Sequence, residues 1–224
     1  MTESQMMTET ARFNMIQQQI RPWEVTDPEV LKLLAVVRRE DFVPPSYRDL
    51  AFADMEIPLG KLPGQAMLSP KIEARMLQEL GVRNTDTVLE VGAGSGFMAA
   101  LLAAKAQFVF SIEIDPKLAD LARSNLEQAG VANVLVRTGD AAQGWEANAP
   151  YDVIVLSGST PALPEKLLKQ LKLGGRLVAV VGEAPAMHLQ LVTRTGEYDF
   201  KTTGLLETSV ASLVNAAPRE KFVF

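Results

Sequence analysis

The sequence contains no cysteine and a single histidine, His188. Without cysteine, the chain has no disulfide, no thiolate metal site and no cysteine nucleophile. One histidine excludes histidine-rich metal sites and any acid–base scheme that needs two histidines. His188 itself is expected to be an ordinary surface or hydrogen-bonded residue. The chemistry must therefore come from carboxylates or from a bound cofactor, and we expect no metal site.

Long apolar runs and an excess of positive charge are also missing. No segment approaches the ~18 consecutive apolar residues of a membrane helix. The polar start of the chain lacks the basic and apolar regions of a secretory signal. The formal net charge is −5, which argues against a broad electrostatic attraction to nucleic acid or anionic lipid. We therefore expect a cytoplasmic protein that binds neither nucleic acids nor membranes.

The order of predicted elements indicates an α/β fold. Residues 1–10 are expected to be a frayed, polar tail. Two short helices and a loop rich in Gly and Pro (46–69) follow, and from residue 70 onwards strands alternate with helices. Strands are predicted at 87–91, 108–114, 134–137, 151–156 and 176–181, which favours a parallel sheet covered on both faces. Two late strand candidates, 189–194 and 205–214, have no helix between them and predict an antiparallel edge.

These elements predict a doubly wound, mostly parallel, seven-stranded Rossmann-like sheet with an antiparallel edge strand and an N-terminal helical extension. We divide the chain into an extension with a flap loop, residues 1–69, and one compact unit, residues 70–224. Within the first part, the segment 60–69 has Gly and Pro hinges and no regular pattern. It is predicted to be a mobile flap over a ligand.

A glycine-rich turn follows the first strand of the sheet, where residues 90–96 read Glu-Val-Gly-Ala-Gly-Ser-Gly. The dinucleotide-binding pattern requires glycine at position 97, but Phe97 stands there. The turn also lacks the Gly-Lys-Ser/Thr sequence that a phosphate-binding loop of nucleoside triphosphatases requires. An acidic residue two positions before Gly-x-Gly-x-Gly resembles instead the first motif of S-adenosylmethionine-dependent methyltransferases. The turn therefore predicts S-adenosylmethionine as the cofactor.

Two further acidic residues stand at the carboxyl ends of the next two strands: Glu113 ends one strand, and Asp140 follows the other. Because parallel strands end at one edge of the sheet, Glu113 and Asp140 are expected near the turn. The Glu113 carboxylate can accept both ribose hydroxyls, Asp140 can reach the adenine edge, and Glu90 suits the methionine ammonium. The complete set of predicted cofactor-binding residues is Glu90, Gly92, Ala93, Gly94, Gly96, Glu113, Ile114, Asp140 and Ala141.

Other segments extend the resemblance over most of the chain. They are residues 39–44 (Arg-Glu-Asp-Phe-Val-Pro), Gly64-Gln65, Gly139-Asp140 with Gly144-Trp145, 150–152 and 170–177. With them, residues 11–182 resemble the protein-L-isoaspartate (D-aspartate) O-methyltransferase family. The resemblance implies a doubly wound fold, S-adenosylmethionine as methyl donor, and methyl esterification of damaged aspartyl residues, a protein-repair activity. It also implies cofactor contacts at Gly92, Gly94, Glu113 and Asp140.

The acceptor loop departs from that family. The family sequence Gly-Gln-Thr-Ile-Ser-Gln-Pro, whose hydroxyls face the isoaspartyl carboxylate, aligns with Gly-Gln-Ala-Met-Leu-Ser-Pro at residues 64–70. Ala66 and Leu68 replace the two hydroxyl residues, and Ser69, the nearest remaining hydroxyl, is the candidate catalytic residue. We therefore expect isoaspartyl methylation to be absent or very weak.

Three alternatives stay open at this point. True isoaspartyl repair can persist if Ser69 or the Ser159-Thr160 pair replaces the lost hydroxyls. The enzyme can instead methylate another, unidentified small acceptor. The protein can also bind the cofactor as a regulator and transfer nothing. Two side chains have open roles: Trp145 either covers the adenine or anchors packing, and Arg38-Arg39 is expected to be a solvated helix end.

Overall fold

The computed structural model describes residues 3–216, and the chain begins with helices that pack on the remainder of the protein. Helix α1 (Glu3–Asn14) continues into a π-helical segment (Met15–Ile20) and a 3-10 turn (Arg21–Trp23), and α2 spans Pro28–Val36. The prediction of a frayed tail is therefore wrong from residue 3 onwards. Helix α1 is anchored near its C-terminal end, where Arg12 forms a buried ion pair with Glu40. Asp27 caps α2 by accepting the Glu29 backbone N–H at 2.8 Å.

The segment predicted as a loop contains little regular structure. Residues 45–50 form a 3-10 turn, and two short strands, Ile57–Pro58 (β1) and Ala66–Met67 (β2), pair antiparallel. The hairpin between them is closed by the Leu59 N–H, which donates to the Gln65 carbonyl at 2.7 Å. Helix α3 (Pro70–Leu80) follows directly. The predicted flap is thus a hairpin that leads into the first helix of the α/β unit.

A seven-stranded sheet forms the centre of the molecule, with the order β5-β4-β3-β6-β7-β8-β9. Its strands are Thr87–Val91 (β3), Phe108–Glu113 (β4), Val134–Thr138 (β5), Tyr151–Thr160 (β6), Leu171–Glu183 (β7), Ala186–Arg194 (β8) and Phe200–Glu207 (β9). The connecting helices are Phe97–Ala103 (α4), Pro116–Gln128 (α5) and Glu165–Lys169 (α6). Strands β3 to β7 pair in parallel. The predicted doubly wound, mostly parallel sheet is confirmed.

The sheet separates two apolar clusters because alternate residues of a strand face opposite sides. On β3, Val88 belongs to one cluster and Leu89 to the other. The first cluster also contains Met15 and Ile20 of the N-terminal segment, together with Leu77 of α3. The N-terminal helices therefore share a hydrophobic core with one face of the sheet.

The C-terminal strands only partly follow the prediction. Strand β8 pairs antiparallel with β7, and β9 pairs antiparallel with β8. The antiparallel strand is therefore β8, one position in from the edge, and β9 ends at Glu207. The strand predicted at 205–214 is wrong beyond that residue. Residues 208–216, which we call the C-terminal strap, instead return to the sheet, where Ser159 and Ser212 form a parallel bridge.

Within residues 3–216, none of the helices combines the length and the hydrophobicity that crossing a membrane requires.

Candidate cofactor and acceptor site

The carboxyl ends of β3, β4 and β5 open into a cleft of about 160 Å³. The glycine-rich turn, residues 112–115 and residues 139–142 form its base and sides. Residues of the β1–β2 hairpin and of the C-terminal strap also line it. The sequence motifs thus meet at one sheet edge, and two distant segments complete the lining of the cleft.

The glycines of the turn allow close approach of neighbouring segments. Gly92 and Gly94 adopt left-handed φ values of 92° and 53°. A Cβ atom on Gly94 would lie 3.1 Å from Leu59 of the hairpin, and one on Gly92 would lie 3.3 Å from Leu213 of the strap. Gly96 has a different surrounding, because it packs against Ala122 of α5. It therefore shapes the turn from behind and is not among the residues that line the cleft.

Glu113 supports the glycine-rich turn with both carboxylate oxygens. Its Oε2 accepts the Gly94 backbone N–H at 2.9 Å, and its Oε1 accepts the Asp115 N–H at 3.1 Å. Each carboxylate oxygen has a second lone pair, so Glu113 can accept two hydroxyl hydrogens from a ligand without releasing the turn. Ile114, also predicted to contact the cofactor, lies at the rim and is partly exposed.

Asp140, which follows β5, also lines the cleft. Its Oδ1 accepts the Ala142 N–H at 3.0 Å, and its Oδ2 accepts a hydrogen from the Asn215 side-chain amide at 2.8 Å. Ala141 is buried beside it. Asn215 belongs to the strap and was missed in the sequence, because it lies 75 residues from Asp140 and is part of no motif.

Glu90 is fully buried behind the glycine-rich turn. The Ser111 hydroxyl donates to its Oε2 at 2.5 Å, and the Ser157 hydroxyl donates to its Oε1 at 3.1 Å. Burial raises the pKa of Glu90 to about 8, although both hydroxyls act in the opposite direction. Glu90 and Ala93 line a small adjoining cavity of about 20 Å³. The predicted cofactor residues therefore divide between the cleft and this second cavity.

The acceptor loop, residues 64–69, lies between the two cavities. Ala66 lines both of them, whereas Leu68 lines only the smaller one. Ser69 lines neither and occupies the N-cap position of α3 without a side-chain capping bond. The nearest remaining hydroxyl residue therefore takes no part in lining the two cavities that border the loop.

The second pair of candidate hydroxyls holds the backbone in place. Ser159 is buried, and its hydroxyl donates to the Val210 carbonyl at 3.0 Å and contacts the Ser212 hydroxyl at 3.1 Å. The Thr160 hydroxyl donates to the Ala162 carbonyl at 2.6 Å. Ser159 thus anchors the C-terminal strap, and neither hydroxyl lines the cleft or the smaller cavity.

The environment of Arg39 differs from the solvated helix end that the sequence predicts. The Arg38 side chain is exposed as expected, but Arg39 is buried. Arg39 forms an ion pair with Glu73 of α3 and donates to the Leu68 carbonyl at 2.8 Å. Burial raises the pKa of Glu73 to about 7, while Arg39 acts to lower it. The sequence pattern placed Arg39 in solvent, but its guanidinium is buried behind the acceptor loop.

Trp145 is a packing residue in this structure. Its ring lies against Gly139, where an added Cβ would come within 2.9 Å of the indole. Its carbonyl accepts the Tyr151 hydroxyl at 2.9 Å, and it is not among the residues lining the cleft. His188 is partly exposed on β8, 3.5 Å from Glu207. Among the described residues, no three His, Asp or Glu side chains are grouped so that they could hold a metal ion.

The chain is similar to proteins of one family over nearly its whole length. A family model described as protein-L-isoaspartate(D-aspartate) O-methyltransferase matches residues 10–222. A protein-L-isoaspartate O-methyltransferase of Rhodopseudomonas palustris is 42% identical over 90% of this chain and 92% of its own length. A relative of the same name from Methanospirillum hungatei is 44% identical over 83% of this chain and 85% of its own length.

Solved structures show the same fold at lower identity. A putative protein-L-isoaspartate O-methyltransferase from Plasmodium falciparum, in complex with S-adenosyl-L-homocysteine, superposes with a TM-score of 0.75 at 18% identity. The superposition covers 92% of this chain and 97% of that one. Another protein-L-isoaspartate O-methyltransferase reaches a TM-score of 0.76 at 24% identity, covering 94% of this chain and 67% of its own.

Proposed function

This chain belongs to the protein-L-isoaspartate(D-aspartate) O-methyltransferase family, and from that premise we propose that it methylates isoaspartyl-type carboxylates of proteins or peptides. The family makes it an S-adenosylmethionine-dependent methyltransferase. The observation that carries the proposal is the meeting of three features at one sheet edge. The glycine-rich turn, the acidic residues at the carboxyl ends of β4 and β5, and the acceptor loop all border the same cleft.

The residues of the cleft suit S-adenosylmethionine. Glu113 offers free lone pairs for ribose hydroxyls, and Asp140 offers an acceptor for an adenine amino group. Gly92 and Gly94 line the same cleft. When bound, the cofactor supplies a methyl group on a positively charged sulfur. The acceptor oxygen attacks the methyl carbon in line, and the sulfur leaves with the bonding electron pair. We assign cofactor contacts to Gly92, Gly94, Glu113, Ile114, Asp140 and Ala141 in the cleft and to Glu90 and Ala93 in the adjoining cavity, with Gly96 supporting the turn.

The protein contributes position, enclosure and a titratable acid. The hairpin and the strap line the cleft, and their closure on the ligand excludes water from the reacting groups. Glu90, with a pKa of about 8, is mainly protonated at neutral pH. An ammonium group beside Glu90 favours its ionised form. Cofactor binding near neutral pH is therefore expected to release a proton.

The acceptor loop limits the rate with an isoaspartyl substrate. Ala66 and Leu68 can donate no side-chain hydrogen bond, and Ser69 faces neither cavity. A carboxylate that loses a hydrogen bond and meets an apolar side chain is destabilised by about 1–3 kcal/mol. We therefore propose that isoaspartyl turnover is weak and that the loop is the cause.

Methyl transfer to an isoaspartyl peptide tests the proposal, with the same peptide containing ordinary aspartate as the control substrate. The parent protein and the double variant Ala66→Thr/Leu68→Ser are compared, and binding of S-adenosylhomocysteine to each is measured by calorimetry. We expect slow turnover in the parent and faster turnover in the double variant. Robust turnover in the parent would keep the substrate assignment and refute the altered acceptor site.

Two other outcomes point to the alternative functions. Tight binding of S-adenosylhomocysteine without turnover in either protein would indicate a different acceptor or a regulatory protein. No binding at all would overturn the cofactor assignment.

The placement of the catalytic unit in residues 70–224, with residues 1–69 as its extension and flap, is part of the same proposal. It is supported by the position of the seven-stranded sheet, which lies wholly after residue 70. The cytoplasmic location expected from the sequence stays a prediction.

A further inference from the structure

The Arg39 guanidinium is buried behind the acceptor loop and contacts several elements at once. Its Nε donates to the Ala51 carbonyl at 3.0 Å, and its Nη2 donates to the Leu68 carbonyl at 2.8 Å. Its Nη1 pairs with the Glu73 carboxylate. The guanidinium carbon lies 5.0 Å from the centroid of the Phe97 ring. One side chain thus uses its hydrogen-bond donors and its planar face at the same time.

These contacts connect the acceptor loop with the glycine-rich turn. Leu68 belongs to the loop, and Glu73 lies in the first turns of α3, which the loop enters. Phe97 is the first residue of α4 and follows the glycine-rich turn directly. Arg39 therefore lies between the segment assigned to the methyl acceptor and the segment assigned to the methyl donor.

At its C-terminal end, the acceptor loop is held in place by Arg39. Its first end is tied to the hairpin through the Gln65 carbonyl. Between Met67, where β2 ends, and Pro70, where α3 begins, the chain has left the strand pair and has not yet formed helix. Leu68 is buried there, and a buried carbonyl needs a donor. Arg39 supplies that donor.

We propose that Arg39 is a positioning residue for methyl transfer, because it holds Ala66–Leu68 at a set distance from the glycine-rich turn. The inference rests on the proposed function of the site. A small displacement of a reacting group can lower the rate by about 100-fold. The Glu73 carboxylate assists by fixing the orientation of the guanidinium, and the Phe97 ring supports its planar face.

The substitution Arg39→Lys separates charge from geometry. Lysine keeps a positive charge beside Glu73, but its single ammonium cannot reproduce the planar fork that reaches two carbonyls and a carboxylate. We expect kcat with the isoaspartyl peptide to fall by about 100-fold. Affinity for S-adenosylhomocysteine should stay at the parent value. Amide hydrogens of residues 64–69 should exchange faster than in the parent.

Arg176 provides a matched control. Its guanidinium also donates to two backbone carbonyls, those of Leu80 and Gly81, and pairs with a buried carboxylate, Asp86. These partners lie near the amino end of β3, away from the acceptor loop. Arg176→Lys should lower the thermal midpoint, but it should change neither kcat nor exchange in residues 64–69.

Equal loop exchange, or an equal change of kcat, in the two lysine variants would overturn the inference. Loop exchange is measured without any acceptor, so an inactive parent protein would contradict the proposed function and leave the role of Arg39 testable. Should Arg39→Lys fail to fold, Glu73→Gln takes its place, because it removes the charge that orients the guanidinium. Faster loop exchange is expected there too, and unchanged exchange would count against the inference.

Discussion

Removal of the Glu113 carboxylate is expected to weaken cofactor binding by several orders of magnitude. In Glu113→Ala, a ligand loses two charge-assisted hydrogen bonds from its ribose, each of which contributes about 1.5–3 kcal/mol. Together they correspond to about 3–6 kcal/mol, or roughly 100-fold to 10,000-fold in Kd at 1.4 kcal/mol per factor of ten. The substitution also removes the acceptor of the Gly94 and Asp115 N–H groups, so the shape of the turn is less well fixed.

Isothermal calorimetry with S-adenosylhomocysteine measures this loss directly. Glu113→Gln serves as a graded comparison, because its amide oxygen can still accept the Gly94 N–H while the charge is gone; its affinity should fall between those of the parent and the alanine variant. Glu127→Gln, on the exposed face of α5, controls for the change in net charge. A folded Glu113→Ala protein that binds with the parent's affinity would refute the assignment of the ribose to Glu113.

Two further predictions concern the buried acid and the hairpin. Burial raises the pKa of Glu90 to about 8, so the folded state holds this proton more tightly than the unfolded state, and stability is lost as the pH rises from about 4.5 through 8. Between pH 5 and pH 8, Glu90→Gln should remove up to about 4 kcal/mol of that loss in the free energy of unfolding. The difference between the denaturant midpoints at these two pH values should therefore be smaller in the variant, and identical pH dependence in the two proteins would contradict this. S-adenosylhomocysteine should slow amide exchange in residues 60–69 if the hairpin is a flap, and equal exchange with and without the ligand would show that it is not.

Part of the site could be predicted because the signals are local. The glycine-rich turn lies at the end of one strand. Glu113 is the last residue of the next strand, and Asp140 follows the one after it. In a parallel sheet all these ends meet at one edge, so spacing along the chain was enough to bring them together. The exchange of hydroxyl residues for Ala66 and Leu68 is equally visible, because it needs only the order of residues 64–70.

The remainder was decided by contacts between residues that are distant in the chain. Arg39 and Leu68 are 29 positions apart, and Asp140 and Asn215 are 75 apart. An arginine at the end of a short helix has the pattern of a solvated charge. The burial of Arg39 is favourable only because the Glu73 carboxylate and two backbone carbonyls, from distant parts of the chain, pair with its guanidinium. The strap likewise continues an apolar pattern typical of a strand. It leaves the sheet edge because Ser159 and Asp140 provide partners near the cleft. Local sequence thus determined which groups stand at the sheet edge, and tertiary packing determined what covers them.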